Sequence, residues 1–184
     1  AKTHANEFWM IEPEMAFCDL EGLMDIEEEM LKFVIKYVLD ECSQEIDFLD
    51  KFVEKGLKDK LTNVVESTFT RISHHDVIDL LKNANVKWEF NPSYDDDIAK
   101  EHEKYIADYF KGPVFIKDWP KDIKAYYMKL NEDGKTVAAV DLVVPGSGEL
   151  MGGSQREEDL EKLLKRMEEM HVDKASELVH RVKE

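Results

Sequence analysis

The sequence has little of what marks several common classes of protein. Two cysteines, Cys18 and Cys42, are too few for a disulfide framework, and their apolar surroundings indicate buried thiols in a reducing compartment. No apolar run approaches the roughly 20 residues of a membrane-spanning helix, and the N-terminus lacks the charged-then-apolar pattern of a signal peptide. Basic residues number 25 against 41 acidic ones, and the net charge of −16 argues against holding nucleic acid by bulk attraction. The composition therefore predicts a cytoplasmic protein without membrane contact.

What the sequence does contain is enough for one folded domain. Its 184 residues are 43% apolar and 36% charged, a composition typical of a globular protein. The patterning is strand-like in 7–17, helical from about 20 to 111, strand-like again after Gly112, and then a polar helical tail from about 157 to 184. We expect an α+β fold, a mostly antiparallel sheet with flanking helices, as a single domain over residues 1–184.

The first strand-like segment, EFWMIEPEMAF over 7–17, has one unusual face. Period-two alternation places Phe8, Glu12 and Glu14 on the same side. Two residues apart on a strand, the two carboxylates would lie roughly 7 Å from each other, close enough to share a cation or an ammonium group. Pro13 cannot donate a hydrogen bond to a ladder, so the segment is predicted to be an edge strand or to contain a bulge.

The helical region begins with a long amphipathic stretch from Leu20 to about Cys42. The stripe that we expect to pack on the core is Leu23, Ile26, Met30, Phe33, Val34, Tyr37 and Val38. Further along, Ser73 followed by Asp76 predicts the capped start of a short helix.

The later strands form a second group. KAYYMKLN (124–131) and KTVAAVDLVV (135–144) are joined by Asn131–Gly134, a turn that predicts an antiparallel hairpin. Another strand-like segment, ELMGGSQRE (149–157), contains Gly152–Gly153, where the backbone can bend or approach a ligand closely.

The motifs of many common catalytic sites are absent. The sequence has no phosphate-binding G-x-x-x-x-G-K-[ST], no G-x-G-x-x-G, no C-x-x-C, no H-E-x-x-H and no nucleophile elbow. His74 and His75 are adjacent and would diverge on a helix or a strand, so we expect a solvated helix start instead of a metal pair. His102 and His171 have no ligand partner four residues on, and a surface position is predicted for both.

Acidic residues on the predicted strands, with one arginine, remain as candidates for chemistry. Asp141 interrupts the apolar run VAAVDLVV, and because burial of an unpaired carboxylate is costly it needs a cation, an arginine or water. With Glu149 and Glu12 it could hold Mg²⁺, although a structural salt bridge explains Asp141 equally well. Arg156 could clamp a carbonyl or carboxylate with its planar fork. Glu149 and Arg156 are seven residues apart, so the glycine bend must break the strand alternation if both serve one site.

Two strings, EFWMIEPEMAF (7–17) and GELMGGSQREE (148–158), closely resemble segments of the asparaginyl-tRNA synthetases, a family of class II aminoacyl-tRNA synthetases. The first is similar to the second strand of motif 2 of that class, and the second to the family's late strand-and-helix segment. TRISHHDVIDLL and AKEHEKYIADYF lie between them in the family's order, so the resemblance covers nearly all of residues 4–170. It implies a partial class II catalytic domain.

The resemblance also implies a role for each matched residue. The ATP-binding positions would be His4, Glu7, Phe8, Asp141 and Glu149. Phe8 matches the phenylalanine that stacks on adenine, and the two later carboxylates match the metal-binding pair that engages ATP through Mg²⁺. Glu12 matches the acidic residue that contacts the amino acid. Arg156, the catalytic residue that the resemblance implies, matches the arginine that holds the side-chain carbonyl.

The resemblance implies a parent enzyme that activates asparagine with ATP and transfers it to tRNA(Asn), as a cytoplasmic homodimer. Motif 1, the first strand of motif 2, motif 3 and the anticodon-binding barrel have no counterpart in the 184 residues. We therefore expect an internal part of a longer enzyme that is weakly active or inactive alone. The alternatives are an aspartate-specific synthetase, a paralogue that forms free asparagine, and a catalytically silent fragment that only binds a ligand or partner.

Overall fold

The structure, a computed structural model, describes residues 6–172 and contains a four-stranded sheet. The strands lie side by side in chain order: β1 (Thr70–Ser73), β2 (Val114–Pro120), β3 (Thr136–Val144) and β4 (Gly148–Ser154). β1 and β2 are parallel, whereas β3 is antiparallel to both of its neighbours. The predicted α+β fold with a mostly antiparallel sheet is confirmed.

Six α-helices accompany the sheet within the described range. They are α1 (Leu20–Glu41), α2 (Ser43–Phe52), α3 (Leu57–Glu66), α4 (His74–Asn83), α5 (Lys100–Phe110) and α6 (Leu160–Glu169). Five of them lie in the predicted helical region 20–111, although β1 interrupts this region and joins the sheet. α6 belongs to the predicted polar tail, of which residues 173–184 lie outside the described range. None of the helices in residues 6–172 is long and apolar enough to cross a membrane.

Helices cover both faces of the sheet, and the alternation along β3 divides the core in two. On the α1 side, the even-numbered residues of β3 pack with α1, α3 and Phe115; these are Ala138, Val140, Leu142 and Val144. On the α4–α5 side, the odd-numbered residues pack with those two helices and with Trp119 of β2; these are Val137, Ala139 and Val143. Asp141 is the one charged residue in the odd-numbered series of β3.

Helix α1 begins where predicted but buries a different face. The Gly22 N–H donates to the Asp19 carboxylate (2.8 Å), which caps the first turn. The residues that face the sheet are Leu20, Met24, Glu27 and Leu31. The predicted stripe was wrong as a core face, since Phe33 is 71% exposed. The periodicity could not separate the two faces because α1 is apolar on both.

Two predicted strands are not strands in the structure. Residues 7–17 are exposed apart from the half-buried Met15 and end in a turn at Ala16 and Phe17, and no described strand pairs with them, so their backbone lacks the ladder that a strand requires. Residues 124–131 make only two isolated bridges, Met128 to Arg156 and Leu130 to Val137. β3 already pairs with β2 on one edge and β4 on the other, which leaves little of it open to this segment.

The histidine predictions were only partly right. His74 and His102 are buried and not solvated, each with a ring nitrogen bonded to a backbone carbonyl, that of Asp96 (3.1 Å) or of Phe90 (2.9 Å). Burial lowers the pKa of His74, which favours a neutral core histidine. His75 and His171 are exposed, as predicted.

Candidate functional site

Asp141 is mostly buried on the α4–α5 side of the sheet and has one strong partner. Its Oδ2 accepts a hydrogen bond from Lys124 Nζ at 2.7 Å, and both side chains are at least four-fifths buried. The same Nζ lies 4.0 Å from the ring centroid of Trp119. The need for a compensating charge, predicted from the apolar strand, is thus met by a lysine that follows the short 3-10 turn Lys121–Ile123.

Glu149 reaches the face of Asp141 because the β3–β4 register shifts. Leu150 is an extra residue in β4 with no ladder partner on β3, and such a bulge moves the alternation by one position. Glu149 therefore faces the α4–α5 side although its numbering alone would turn it away. Arg156 is on the same side, since its guanidinium donates to Ser154 Oγ at 3.4 Å and Ser154 pairs with Ala139. The register break lies at Leu150 and not at the glycine pair.

Gly152 leaves a gap between the two carboxylates. It lies opposite Asp141 in the ladder. A Cβ at this position would be 3.1 Å from Asp141 Oδ1 and 3.4 Å from Glu149 Oε1. The two oxygens are therefore no further apart than these two distances combined, and a side chain at position 152 would crowd both of them.

More acidic groups surround this gap. Burial raises the pKa of Asp141, with Lys124 opposing the shift, and loss of hydration followed by the Asp141 charge raises that of Glu149. Burial also raises the pKa of Glu103, whose Oε2 accepts from the Glu149 N–H at 3.3 Å. Asp97 lines the same small pocket. Four carboxylates, set against the charges of Lys124 and Lys100, leave an excess of negative charge, and hard oxygen ligands of this kind suit Mg²⁺.

A fifth carboxyl, that of Glu27, lies behind β4 on the α1 side. Its Oε1 is 3.0 Å from the point that a Cβ on Gly153 would occupy, and its Oε2 is buried without a hydrogen bond among residues 6–172. Burial, followed by the charge of Asp141 across the strand, raises the pKa of Glu27 to about 7. A further carboxyl therefore lies behind the carboxylate gap, on the opposite face of the sheet.

Arg156 lies beside a cleft of about 530 Å³ between the end of β4 and the extended N-terminal segment. Its Nη2 donates to Glu14 Oε1 at 2.7 Å, and its guanidinium carbon lies 4.4 Å from the ring centroid of Tyr127. The side chain is half exposed, and Glu14 is the one carboxylate that pairs with it among residues 6–172, so part of the guanidinium faces the cleft. The arrangement can bind a small carbonyl or carboxylate group.

The remaining candidates of the N-terminal segment are not gathered at the carboxylate gap. Glu7, Phe8 and Glu12 are exposed, and no hydrogen bond or ion pair in residues 6–172 joins them to Asp141 or Glu149. Glu14, and not Glu12, contacts the arginine. His4 lies outside the described residues.

Four members of the site were not among the residues predicted from the sequence: Lys124, Glu103, Asp97 and Glu27. Each belongs to a helix, turn or loop that is distant in sequence from Asp141 and Glu149, so no local spacing signals it. Only Glu27 had a usable sign, because it is a glutamate on the face of α1 that carries Leu20 and Met24.

A separate cluster of metal-ligand types lies on the exposed surface of α4. Donor atoms of His75, Asp76 and Asp79 are within 4.8 Å of one another. Their carboxylates already accept hydrogen bonds, Asp76 from the hydroxyl of Ser73 and Asp79 from that of Tyr94. These bonds account for the cluster as helix capping and surface packing.

The sequence is similar to those of known proteins over nearly all of its length. The family model described as tRNA synthetases class II (D, K and N) matches residues 1–182. The asparagine–tRNA ligase of Acholeplasma laidlawii is 61% identical over 171 residues, which are 92% of this chain but 37% of that protein. The chain thus spans little more than a third of the length of the curated relatives it matches.

Solved structures give the same result. The crystal structure of asparaginyl-tRNA synthetase from Pyrococcus horikoshii superposes with a TM-score of 0.74 at 34% identity, covering 86% of this chain and 36% of that one. The structure of the same enzyme complexed with asparaginyl-adenylate gives a TM-score of 0.71 at 36% identity, with 86% and 35% covered.

Proposed function

The chain belongs to the family of class II tRNA synthetases (D, K and N), and on this premise we propose that it is part of the catalytic domain of an asparagine–tRNA ligase. Residues 1–184 would form a single unit of that domain, with 20–111 as a helical insertion and 157–184 as a polar tail. The parent would be a cytoplasmic homodimer that uses ATP, asparagine and tRNA(Asn). Asparagine is favoured over aspartate because the similar enzyme from Pyrococcus horikoshii is complexed with asparaginyl-adenylate.

The proposed reaction has two steps. First, a carboxylate oxygen of asparagine attacks the α-phosphorus of ATP, an acyl–phosphate bond forms, and pyrophosphate leaves. Second, a terminal ribose hydroxyl of tRNA attacks the carbonyl carbon, loses its proton, and AMP leaves. No covalent enzyme intermediate is needed, so the chain would contribute by positioning the reactants and by stabilising charge.

The single observation that carries this proposal is the gap at Gly152 between Asp141 and Glu149. Both carboxylates would hold Mg²⁺, and the bound ion would neutralise phosphate charge on ATP. Lys124, held by Asp141 at 2.7 Å, brings a further positive charge close to where phosphate oxygens would bind. The raised pKa values of both carboxyls mean that burial disfavours their charged forms, and a bound cation would offset this cost.

Recognition of the amino acid would take place in the cleft at Arg156. The open side of its guanidinium would bind the side-chain carbonyl of asparagine, while Glu14, its neighbour at 2.7 Å, keeps it oriented. We assign the substrate ammonium group to Glu12. Adenine would stack on Phe8, with Glu7 near the nucleotide; His4 is proposed for ATP binding from the resemblance alone.

The test uses a chimeric ligase, in which this chain replaces the matched 37% of the Acholeplasma laidlawii enzyme. We expect asparagine-dependent exchange of pyrophosphate into ATP, and a decrease on the order of 10²–10³-fold in the Asp141→Asn and Glu149→Gln variants, since each removes a charge that holds the metal. The matched control is Glu132→Gln, in the exposed hairpin turn. A chimera in which both site variants keep the exchange rate of the control would refute the assigned site.

The same assay separates the alternatives. Exchange that depends on aspartate and not asparagine would identify an aspartate-specific enzyme, and release of free asparagine without tRNA charging would identify the asparagine-forming paralogue. An unaltered chain that supports no exchange in the chimera would favour a silent binding fragment. The isolated 184-residue chain should exchange pyrophosphate far more slowly than the chimera.

A further inference from the structure

Helix α6 contains a buried arginine that the proposed reaction does not use. Arg166 is only 3% exposed, and its Nε has no hydrogen-bond partner among residues 6–172. It lines neither the pocket at the carboxylate gap nor the cleft at Arg156. Because burial of a charge is costly unless its contacts are specific, the groups that the guanidinium contacts indicate its role.

The two ends of the Arg166 guanidinium contact two different elements. Nη1 donates to Glu169 Oε2 in the next turn of α6 (2.7 Å), and Nη2 donates to the backbone carbonyl of Lys121 (2.8 Å). Lys121 is the first residue of the 3-10 turn Lys121–Ile123. Its ammonium group also lies 3.7 Å from Glu169 Oε2. Arg166 therefore fastens this turn to α6 through the planar fork of its side chain.

The carbonyl that Arg166 contacts is also the one that closes the turn before Lys124. The Lys124 N–H donates to the Lys121 carbonyl at 3.4 Å, a long and therefore weak hydrogen bond. On the other side, the Lys121 N–H donates to the carbonyl of Lys135 at 3.0 Å, which ties the turn to the start of β3. The turn is thus held to the sheet by its N–H and to α6 by its carbonyl. Lys124 follows directly and donates to Asp141 at 2.7 Å.

We propose that Arg166 is a positioning residue of the ATP site, which holds the turn so that Lys124 stays on Asp141 beside the carboxylate gap. It touches no substrate and acts through the Lys121 carbonyl. Without its guanidinium, the long Lys124 hydrogen bond alone would fix the carbonyl end of the turn. The effect on ATP rests on the proposed function, because it takes Lys124 to lie close to the phosphate oxygens. The placement of Lys124 does not depend on that function.

The first experiment measures how fast a trace of acetic anhydride acetylates Lys124 in the 184-residue chain, by peptide mass spectrometry. Lys32 is the internal reference, because it too makes a 2.7 Å hydrogen bond to a carboxylate and lies over an aromatic ring, but belongs to α1. Arg166→Gln removes the charged fork, and Arg166→Lys keeps the positive charge but not the two-ended contact. The control is Met167→Ala, which removes a buried neighbour in α6 and leaves the guanidinium in place.

Each acetylation rate is divided by the rate of the same lysine in urea. The ratio of the Lys124 rate to the Lys32 rate should then rise by roughly threefold or more in both Arg166 variants, because the turn opens locally, and stay unchanged in Met167→Ala. An unchanged ratio in either Arg166 variant would overturn the inference. An equal rise in Met167→Ala would do the same, since general loosening of α6 would then explain the result.

The second experiment uses pyrophosphate exchange in the chimeric ligase. Arg166→Gln should raise the KM for ATP by roughly fivefold and leave the KM for asparagine unchanged. In a Lys124→Met background, the same substitution should add less than about twofold, since both changes remove one shared interaction. An active chimera with an unchanged KM for ATP, or with fully additive effects, would overturn the role in the ATP site. A chimera that is inactive without any substitution would count against the proposed function, and acetylation would still decide the placement of Lys124.

Discussion

The carboxyl of Glu27 should make the protein less stable as the pH rises. In the folded chain its pKa is raised to about 7, mainly by burial, while an ordinary glutamate titrates near 4.5. The folded state therefore holds one more proton than the unfolded state between these two values, and stability decreases across that window. The shift corresponds to about 3 kcal/mol, because each pKa unit is worth about 1.4 kcal/mol. Glu27→Gln, which cannot ionise, should remove this loss.

The free energy of unfolding can be measured by urea denaturation from pH 4.5 to pH 8, with tryptophan fluorescence as the signal, to which the buried Trp119 contributes. Glu27→Gln should be about 3 kcal/mol more stable than the unaltered chain at pH 8, and the difference should vanish near pH 4.5. The control is Glu29→Gln, exposed on the same helix, which should stay within roughly 0.5 kcal/mol at every pH. A gain in unfolding free energy that is independent of pH, or no gain at pH 8, would refute the assignment of a carboxyl whose burial disfavours its charged form.

Four other substitutions test the neighbouring groups. Lys124→Met leaves Asp141 without its cation and should cost roughly 3 kcal/mol of unfolding free energy at pH 8 but less at pH 5; an equal loss at both would argue against a charged pair. Gly153→Ala should destabilise by about 1–3 kcal/mol, since its Cβ would press on α1. Gly152→Ala should instead weaken Mg²⁺ binding in a calorimetric titration; unchanged binding would exclude the gap as the metal position. Arg156→Lys in the chimeric ligase should raise the KM for asparagine more than the KM for ATP, and equal increases would remove it from the side-chain pocket.

The parts of the fold that sequence patterns predicted are those with local causes. Helix α1 was expected from Leu20 to about Cys42 and runs from Leu20 to Glu41, because its cap and its apolar spacing lie within the segment itself. The start of α4 at Ser73 was found for the same reason. Segment 7–17 was not, since whether an extended chain becomes a strand depends on a pairing partner distant in sequence.

The residues of the site likewise fall into those that the sequence could predict and those that it could not. Asp141 could be singled out because a charge within an apolar strand violates the local pattern. Lys124 and Glu103 could not, since only the packed sheet brings the 3-10 turn and α5 close to that strand. The shared face of Asp141 and Glu149 depends on the bulge at Leu150, which alternation alone does not reveal. The substrate contacts assigned to Phe8 and Glu12 stay predictions.

The extra residue at Leu150 determines which face of the sheet Glu149 and Arg156 share, and not only how far apart they lie. Seven positions separate the two residues, which in a regular strand would put their side chains on opposite faces. Because the bulge adds one unpaired residue, the two side chains lie on the same face. Deletion of Leu150 would remove the bulge and place Glu149 directly before Met151, where regular alternation keeps it on the α4–α5 side. Deletion of a ladder-paired residue of β4, with the bulge kept, would instead turn Glu149 and Arg156 to opposite faces of the sheet. The bulged position is therefore a place where β4 can lose one residue without separating these two side chains.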